Sequence, residues 1–335
     1  MPAVQPGHAR RRLAAAPAPC YTGGMTTLSD TTTDRHNPTF TGLAAATGAF
    51  LLWGLVAPVY FKLLTGIGAV EIVAHRVVWT VLLVGAFVLA ARGPMAVVRA
   101  VGTWRRLGIL AVTTALVSSN WLIFIYATLS GQMLQSSLGY YINPLVNVLL
   151  GVVFLHERLS RQQMVAVAVA AAGVLSLVLW YGVVPWIALA LAVTFGIYAL
   201  VRKKAAIEPV TGLLVETGLL IPPALGYLLW LGPQGAFVSG GTGTAVLLAL
   251  AGPITAVPLV LFMVGAARLK LSTIGLLQYI GPTGQLLLGV LVYGETFTPA
   301  HAVAFGCIWV ALVLYSHDAF VTHRAAVRTA AAAGD

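Results

Sequence analysis

Charge is what this chain of 335 residues has least of: only 8% are Asp, Glu, Lys or Arg, against about 25% in a soluble globular protein. A surface so poor in charge is not built for water. Acid is scarcer than base, with nine Asp and Glu against nineteen Lys and Arg, and no Asp stands between Asp34 and Asp318. That gap excludes an intramembrane aspartyl protease. The two cysteines, Cys20 and Cys307, cannot make a disulfide framework. Cys307 sits in an apolar run and reads as packing. There is no Gly-x-Ser-x-Gly, His156-Glu157 lacks the second His of a zinc helix, and no Gly-x-x-x-x-Gly-Lys cradles a phosphate. ATP therefore does not drive this chain directly, no cofactor or resident metal is implied, and the chain reads as a non-enzyme. The basic, soluble face of a nucleic-acid binder is also missing.

What is present is apolar length. Hydrophobic residues make up 59% of the chain and the mean hydropathy is +0.92. A helix needs about 20 apolar residues to cross a bilayer core. Such runs fall at roughly 40–63, 71–91, 107–126, 132–155, 162–180, 184–201, 210–231, 244–266, 271–293 and 300–317. Residues 1–39 are polar and rich in Ala, Pro and Thr, and are expected to form a disordered cytoplasmic tail. Arg10-Arg11-Arg12 opens like a signal peptide, but Pro17 and Pro19 break the apolar stretch. Met25 offers a shorter start, which would make residues 1–24 a start-site artefact. Residues 318–335 are expected to be a loosely ordered cytoplasmic tail.

Ten spans place both ends of the chain on one side. Except for Lys62 and Arg76, every Lys and Arg lies before the first span, after the last, or in the loops that follow even-numbered spans. The positive-inside rule makes that side cytoplasmic, so the expected location is the cell (inner) membrane, with the lipid bilayer as partner.

A motif recurs within this pattern. Tyr141-Ile142-Asn143-Pro144, then Leu149-Leu150-Gly151-Val152 and Glu157, returns 138 residues later. The second copy is Tyr279-Ile280-Gly281-Pro282, Leu287-Leu288-Gly289-Val290 and Glu295. With five spans per half, at 40–180 and 184–317, the second half enters from the opposite side. The expected fold is all-α and polytopic, two inverted five-helix repeats around a shared site.

Ionisable groups in a bilayer cost at least about 2.5–3.5 kcal/mol each, so they read as functional by default. Lys62, Glu71, His75 and Arg76 cluster at the outer ends of the first two spans. A Lys62–Glu71 ion pair would merely neutralise charge, whereas Arg76 lies deeper. An offset of 140 sets Lys62 on Arg202 and Arg76 on Glu216, and places Glu216 within reach of Arg202 or Lys203. Lys62, Glu71, His75, Arg202 and Glu216 are the expected gating or coupling groups. The expected solute contacts are Arg76, whose guanidinium could hold an anionic group, Asn120 of the third span, and Tyr141, Asn143, Gln278 and Tyr279, amides and phenols beside the expected helix breaks at Pro144 and Pro282. The bland alternative for the amides is interhelical glue. Glu157 and Glu295 read as structural caps, and Trp53, Trp79, Trp104, Trp180, Trp186 and Trp230 mostly as interfacial belt residues.

These residues carry a resemblance. Trp53–Lys62 (WGLVAPVYFK), Glu71–Trp79 (EIVAHRVVW), Ser137–Asn147 (SLGYYINPLVN), Val201–Lys204 (VRKK) and Leu277–Pro282 (LQYIGP) resemble the RarD family. These are chloramphenicol-sensitivity proteins of the EamA-type drug/metabolite transporter superfamily. The resemblance runs from about Thr41 to Asp318, with His156-Glu157-Arg158 where the family usually shows Gly-Glu-Arg. It implies a ten-helix inner-membrane permease with a cavity lined by both halves. The reading is a secondary transporter, an exporter of small metabolites or amphipathic drugs, with protons as the simplest coupling partner. A lipid or lipid-linked-sugar flippase and a non-transporting membrane sensor are the alternatives. Substrate, direction and a homodimer stay open.

Overall fold

A computed structural model describes residues 38–156, 159–205, 208–269, 273–274 and 277–332, and their side chains except at 38–39, 155, 203, 209 and 318–332. The described residues are helical, with no strand among them. α1 (Pro38–Leu51), a π-helical turn (Leu52–Val56) and α2 (Ala57–Leu63) run in succession. α3 (Ala69–Arg92), α4 (Met95–Val101), α5 (Trp104–Leu129), α6 (Met133–Leu155), α7 (Arg161–Tyr181) and α8 (Trp186–Ala205) follow. After them come α9 (Pro209–Leu219), α10 (Ile221–Leu231), α11 (Ala236–Ser239), α12 (Gly241–Ala249) and α13 (Ala251–Ala266). α14 (Ile280–Leu287) passes into a second π-helical turn (Leu288–Val292), and α15 (Pro299–Ala332) ends the described chain.

Local chemistry sets these boundaries. Ser160 accepts from the Gln163 amide while the Gln163 side chain accepts from the Ser160 amide, a reciprocal cap that starts α7. Gly182 ends α7 in the left-handed conformation, at φ 64°. Among the described residues seven helices are long and apolar enough to cross a membrane. An eighth is the pair α9–α10, bent by 46°, and 186–202 and 280–292 are shorter apolar helices. The bend replaces the straight span expected at 210–231. Pro222 and Pro223 cannot donate amides back across the break, so α10 restarts with them in its first turn.

Three other expectations change. Pro144 does not interrupt α6, which runs on through it. Pro282 stands in the first turn of α14, after an interruption at Gln278–Tyr279, where a missing N–H is least costly. The Ala-rich segment expected to be loose from Ser316 continues α15 to Ala332, in keeping with alanine's helix propensity. The expected N-terminal tail to residue 37, and Glu157 of the first motif copy, lie outside the described residues.

Lipid offers apolar surface no less welcome than a neighbouring helix, so helices in a bilayer adhere through close packing. At Gly54, inside the first π-helical turn, an added Cβ would lie 2.6 Å from the Gly281 carbonyl oxygen. At Gly252 it would lie 2.7 Å from the Trp79 carbonyl oxygen. Main chain touches main chain at both crossings. Trp104, Trp180, Trp186 and Trp230 are exposed, as a belt requires. Trp79 instead packs on Phe237, and Trp53 on Phe50 and Phe262.

Candidate functional site

The two copies of the repeated motif meet. The Tyr141 and Tyr279 rings stack at 6.2 Å with planes 15° apart. The Tyr141 hydroxyl pairs with Thr283 Oγ1 at 2.5 Å. Ser137 donates to the Pro282 carbonyl at 2.8 Å, and Ser136 to Gln285 Oε1 at 2.9 Å. Further out, Glu295 accepts from the amides of Met133 and Leu134 at 2.6 and 2.8 Å. Along this seam the residue number on α6 rises as that on α14 falls, so the two helices run antiparallel. Phe305 and Trp309 of α15 meet the Tyr141 ring edge-on. Gln278 is half-buried at the interruption before α14.

The amides on the first-half side are engaged in holding helices. Asn120 is buried and donates to the Leu191 carbonyl at 3.0 Å and to Thr194 Oγ1 at 2.9 Å, while the Tyr140 hydroxyl donates to its Oδ1. Asn143 donates to the Ala192 carbonyl at 3.1 Å and accepts from Asn147. Both tie their helices to α8, as membrane amides do.

Around Lys62, Glu71 and His75 the charges arrange themselves in a way the sequence did not anticipate. The Lys62–Glu71 pair does not form. Lys62 donates to the Thr128 carbonyl at 3.3 Å and lies over the Tyr293 ring. Glu71 accepts from the Ala236 amide at 2.5 Å, capping α11. Glu295 does the same for α6. Two carboxylates thus each hold the amino end of a helix distant in sequence, where the helix dipole welcomes negative charge. Burial pushes the Glu295 carboxyl above its ordinary range, while the Leu134 and Met133 amides and the Lys62 charge pull it down. His75 stacks on Phe237 at 5.1 Å.

Arg76 is buried, with 8% of its surface exposed. Its Nε donates to Thr255 Oγ1 at 2.8 Å, and its guanidinium lies 4.0 Å over the Trp121 ring, with Phe61 further off at 5.8 Å. Four segments build this place: α2, α3, α5 and α13.

The opposite face holds an ionic network. Arg202 Nη1 reaches Glu216 Oε2 at 2.9 Å and the Tyr198 hydroxyl at 2.7 Å, and Glu216 is fully buried. The expected reach from Arg202 to Glu216 is therefore observed, while the Lys203 side chain lies outside the described residues. Glu208, passed over in the sequence, caps α9 by accepting from the Val210 and Thr211 amides and pairs with Arg92 at 2.8 Å. Partial burial works to raise its carboxyl pKa. Hydrogen bonds from Thr211, Arg92 and Val210 outweigh it and hold the group at about 2. Glu208-Pro209 immediately before an apolar run was the legible signal, an acidic cap followed by proline at the first helical position.

A cavity of about 460 Å³ opens between the ends of α6, α7 and α8 and the start of α15, with Gln135, Tyr181, Thr298 and His301 among its lining. A separate groove of about 540 Å³, wholly apolar in its lining, runs between α3, α4, α5 and α9.

Comparison with known proteins converges on these helices. Residues 40–179 match the EamA-like transporter family. A Vibrio cholerae protein named an uncharacterized transporter is 47% identical over 86% of this chain and 95% of its own. Protein RarD of Streptomyces exfoliatus is 44% identical over 86% and 92%. The chain belongs to the RarD family of EamA-like transporters. A Pseudomonas aeruginosa relative, named chloramphenicol-sensitive protein RarD, is 34% identical over 78% of this RarD-family chain and 89% of its own. A solved crystal structure, 19% identical, superposes with a TM-score of 0.54 over 82% of this chain and 97% of that one, and shares its fold.

Proposed function

We propose that this RarD-family protein is a secondary transporter that moves small metabolites or amphipathic drugs across the cell membrane by alternating access. Ten crossings, in inverted halves at 40–180 and 184–317, would put both termini in the cytoplasm. The observation that carries the reading is the antiparallel meeting of the two motif copies at Tyr141 and Tyr279. Related elements that run in opposite directions about one contact can exchange roles, which is what opening to either side requires. The outer carboxylate caps of Glu71 and Glu295 and the inner Arg202–Glu216 network are the two gates in this scheme. His75 and Lys62 belong to the outer gate, and protons are the proposed coupling ion.

Arg76, Gln278 and Tyr279 are the proposed solute contacts in the state described, with Tyr141 as their aromatic backing. Asn120 and Asn143 would join them only when α5 and α6 separate from α8, because their amide donors are bonded to α8 here. Export is the proposed direction, and no chemical conversion is assigned.

Proteoliposomes loaded with a metabolite extract and chloramphenicol test this directly. Selective loss of compounds, read by mass spectrometry with and without a pH gradient, is the expected result. Loss equal to that from protein-free vesicles would sink the transport reading. A second reading, a lipid or lipid-linked-sugar flippase, is favoured by the apolar groove between α3 and α9. It predicts scrambling of labelled lipid in the same vesicles.

A further inference from the structure

α3 carries a run of unanswered polar atoms. His75 Nε2, Trp79 Nε1 and Thr80 Oγ1 are buried with no hydrogen-bond partner among the described residues. Arg76 stands among them, and among the described residues its five N–H groups find one hydrogen-bond acceptor, Thr255 Oγ1 on Nε. On a helix, residues three and four apart are neighbours, so Arg76 adjoins Trp79 and Thr80, and His75 adjoins Trp79. Phe237 covers the His75 and Trp79 rings, and Trp121 and Phe61 face the guanidinium.

The carboxylates that a buried cation would normally recruit are taken. Glu216 is paired with Arg202, and Glu71 caps α11. Among the described residues no carboxylate forms an ion pair with Arg76, whose company is one hydroxyl and two aromatic faces. A buried charge is ordinarily paired. Trp121 covers the plane of the guanidinium but offers nothing to the in-plane hydrogens of its fork, which match two oxygens side by side. The one fixed charge of this stripe is the Arg76 cation, and the indole Nε1–H of Trp79 can only donate, so the place favours a negative ligand over a positive one.

We infer that Arg76 is the docking group for an organic anion, held through a carboxylate or phosphate, with its apolar body beside the rings of Trp121 and Phe237. The inference rests on the transport reading and deepens it: the solute is an acid. Trp79 Nε1–H and Thr80 Oγ1–H are further donors for the same anionic group. Arg76 also makes the site discriminate by charge, so neutral amides of the same acids bind poorly.

The test separates the two claims. A bacterial metabolite extract is split on an anion exchanger. The melting temperature of the purified protein is read with the retained and flow-through fractions, for the wild type, Arg76→Gln and Arg76→Lys. The retained fraction should stabilise the wild type, leave Arg76→Gln unmoved, and act weakly on Arg76→Lys, which keeps the charge without the fork. Phosphatase treatment of that fraction tells phosphate from carboxylate: the shift is lost for the first and kept for the second. If Arg76→Gln does not fold, an undiminished shift in Arg76→Lys overturns the bidentate assignment, and a weakened one sustains it. Stabilisation of Arg76→Gln equal to wild type, stabilisation by the flow-through alone, or no stabilisation by either overturns the inference. Flux from vesicles is measured in parallel. Selective loss of neutral compounds would overturn the acid assignment and leave transport standing. No loss of any compound would overturn transport, with the melting data still judging the anion site.

Discussion

Tyr141 and Tyr279 stand 138 residues apart, hold the same place in two copies of one motif, and stack on one another at 6.2 Å. Stacked aromatic pairs contribute about 0.5–1.5 kcal/mol beyond their buried area. A cycle of Tyr141→Ala, Tyr279→Ala and the double variant, followed by thermal unfolding, should return a coupling of that size. Tyr141→Phe keeps the stack and loses only the Thr283 hydrogen bond, so it should cost about 1 kcal/mol. Strict additivity of the two alanine changes would show that the contact contributes nothing.

The main-chain crossing at Gly54 sets a second expectation. Gly54→Ala forces a Cβ against the backbone of Gly281, which has no side chain to yield. Overpacking of this kind costs about 1–3 kcal/mol. Gly226, where an added Cβ meets nothing within 4 Å, is the control, and Gly226→Ala should leave the melting temperature unchanged. Equal behaviour of the two variants would mean that α14 shifts freely away from the first π-helical turn.

For the Arg202–Glu216 network the decisive comparison is single against double. Arg202→Gln alone takes the Arg202 cation from the buried Glu216 carboxylate, and Glu216→Gln alone takes the Glu216 charge from Arg202 Nη1. Either should cost about 3–5 kcal/mol, and the double change less than the two singles together. The readout is the melting temperature in detergent, and fully additive losses would contradict a coupled pair.

Glu208 gives the stability a pH signature. Its carboxyl lies at about 2 when folded against an ordinary 4.5. The folded state therefore binds the proton less well than the unfolded one. The stabilisation is fully present above about 4.5 and disappears as pH falls through 2. The gap in melting temperature between wild type and Glu208→Gln should be constant from pH 7 to about 5 and close on further acidification. A gap that widened on acidification would contradict the depressed value.

The Glu295 cap is open to test by hydrogen exchange. Glu295→Ala removes the acceptor from the Met133 and Leu134 amides. Losing a capping interaction costs about 1 kcal/mol, so exchange at these two amides should speed up by roughly fivefold. Unchanged exchange would mean that the α6 amino end is held by other groups.

How much of this was legible depends on the range of the interaction. Hydropathy located the helical stretches because lipid demands a long apolar run whatever the neighbours are. The repeat was visible as identity, and its two copies do lie against one another. The pairing of Arg202 with Glu216 was within reach because the loop between α8 and α9 is short. Failures came where partners are distant in sequence or belong to the main chain. Lys62 and Glu71 are near neighbours of opposite sign, yet the carboxylate chose an amide 165 residues away. The bonds of Asn120 and Asn143 to α8 were not legible either, because a sequence records an amide but not the carbonyl it is bonded to. The effect of Pro144 was overestimated, since surrounding helices hold α6 continuous where an isolated peptide would bend.

The carboxylate caps of Glu71 and Glu295 have a consequence for how the sequence around them can diverge. Each grips backbone N–H groups, at Ala236 for Glu71 and at Met133 and Leu134 for Glu295. Every residue except proline supplies that group. Positions 133, 134 and 236 can therefore change without loosening the grip, while positions 71 and 295 cannot. Covariation, which reads paired substitutions, is blind to a contact with only one variable partner, so these two fastenings would leave no trace in it.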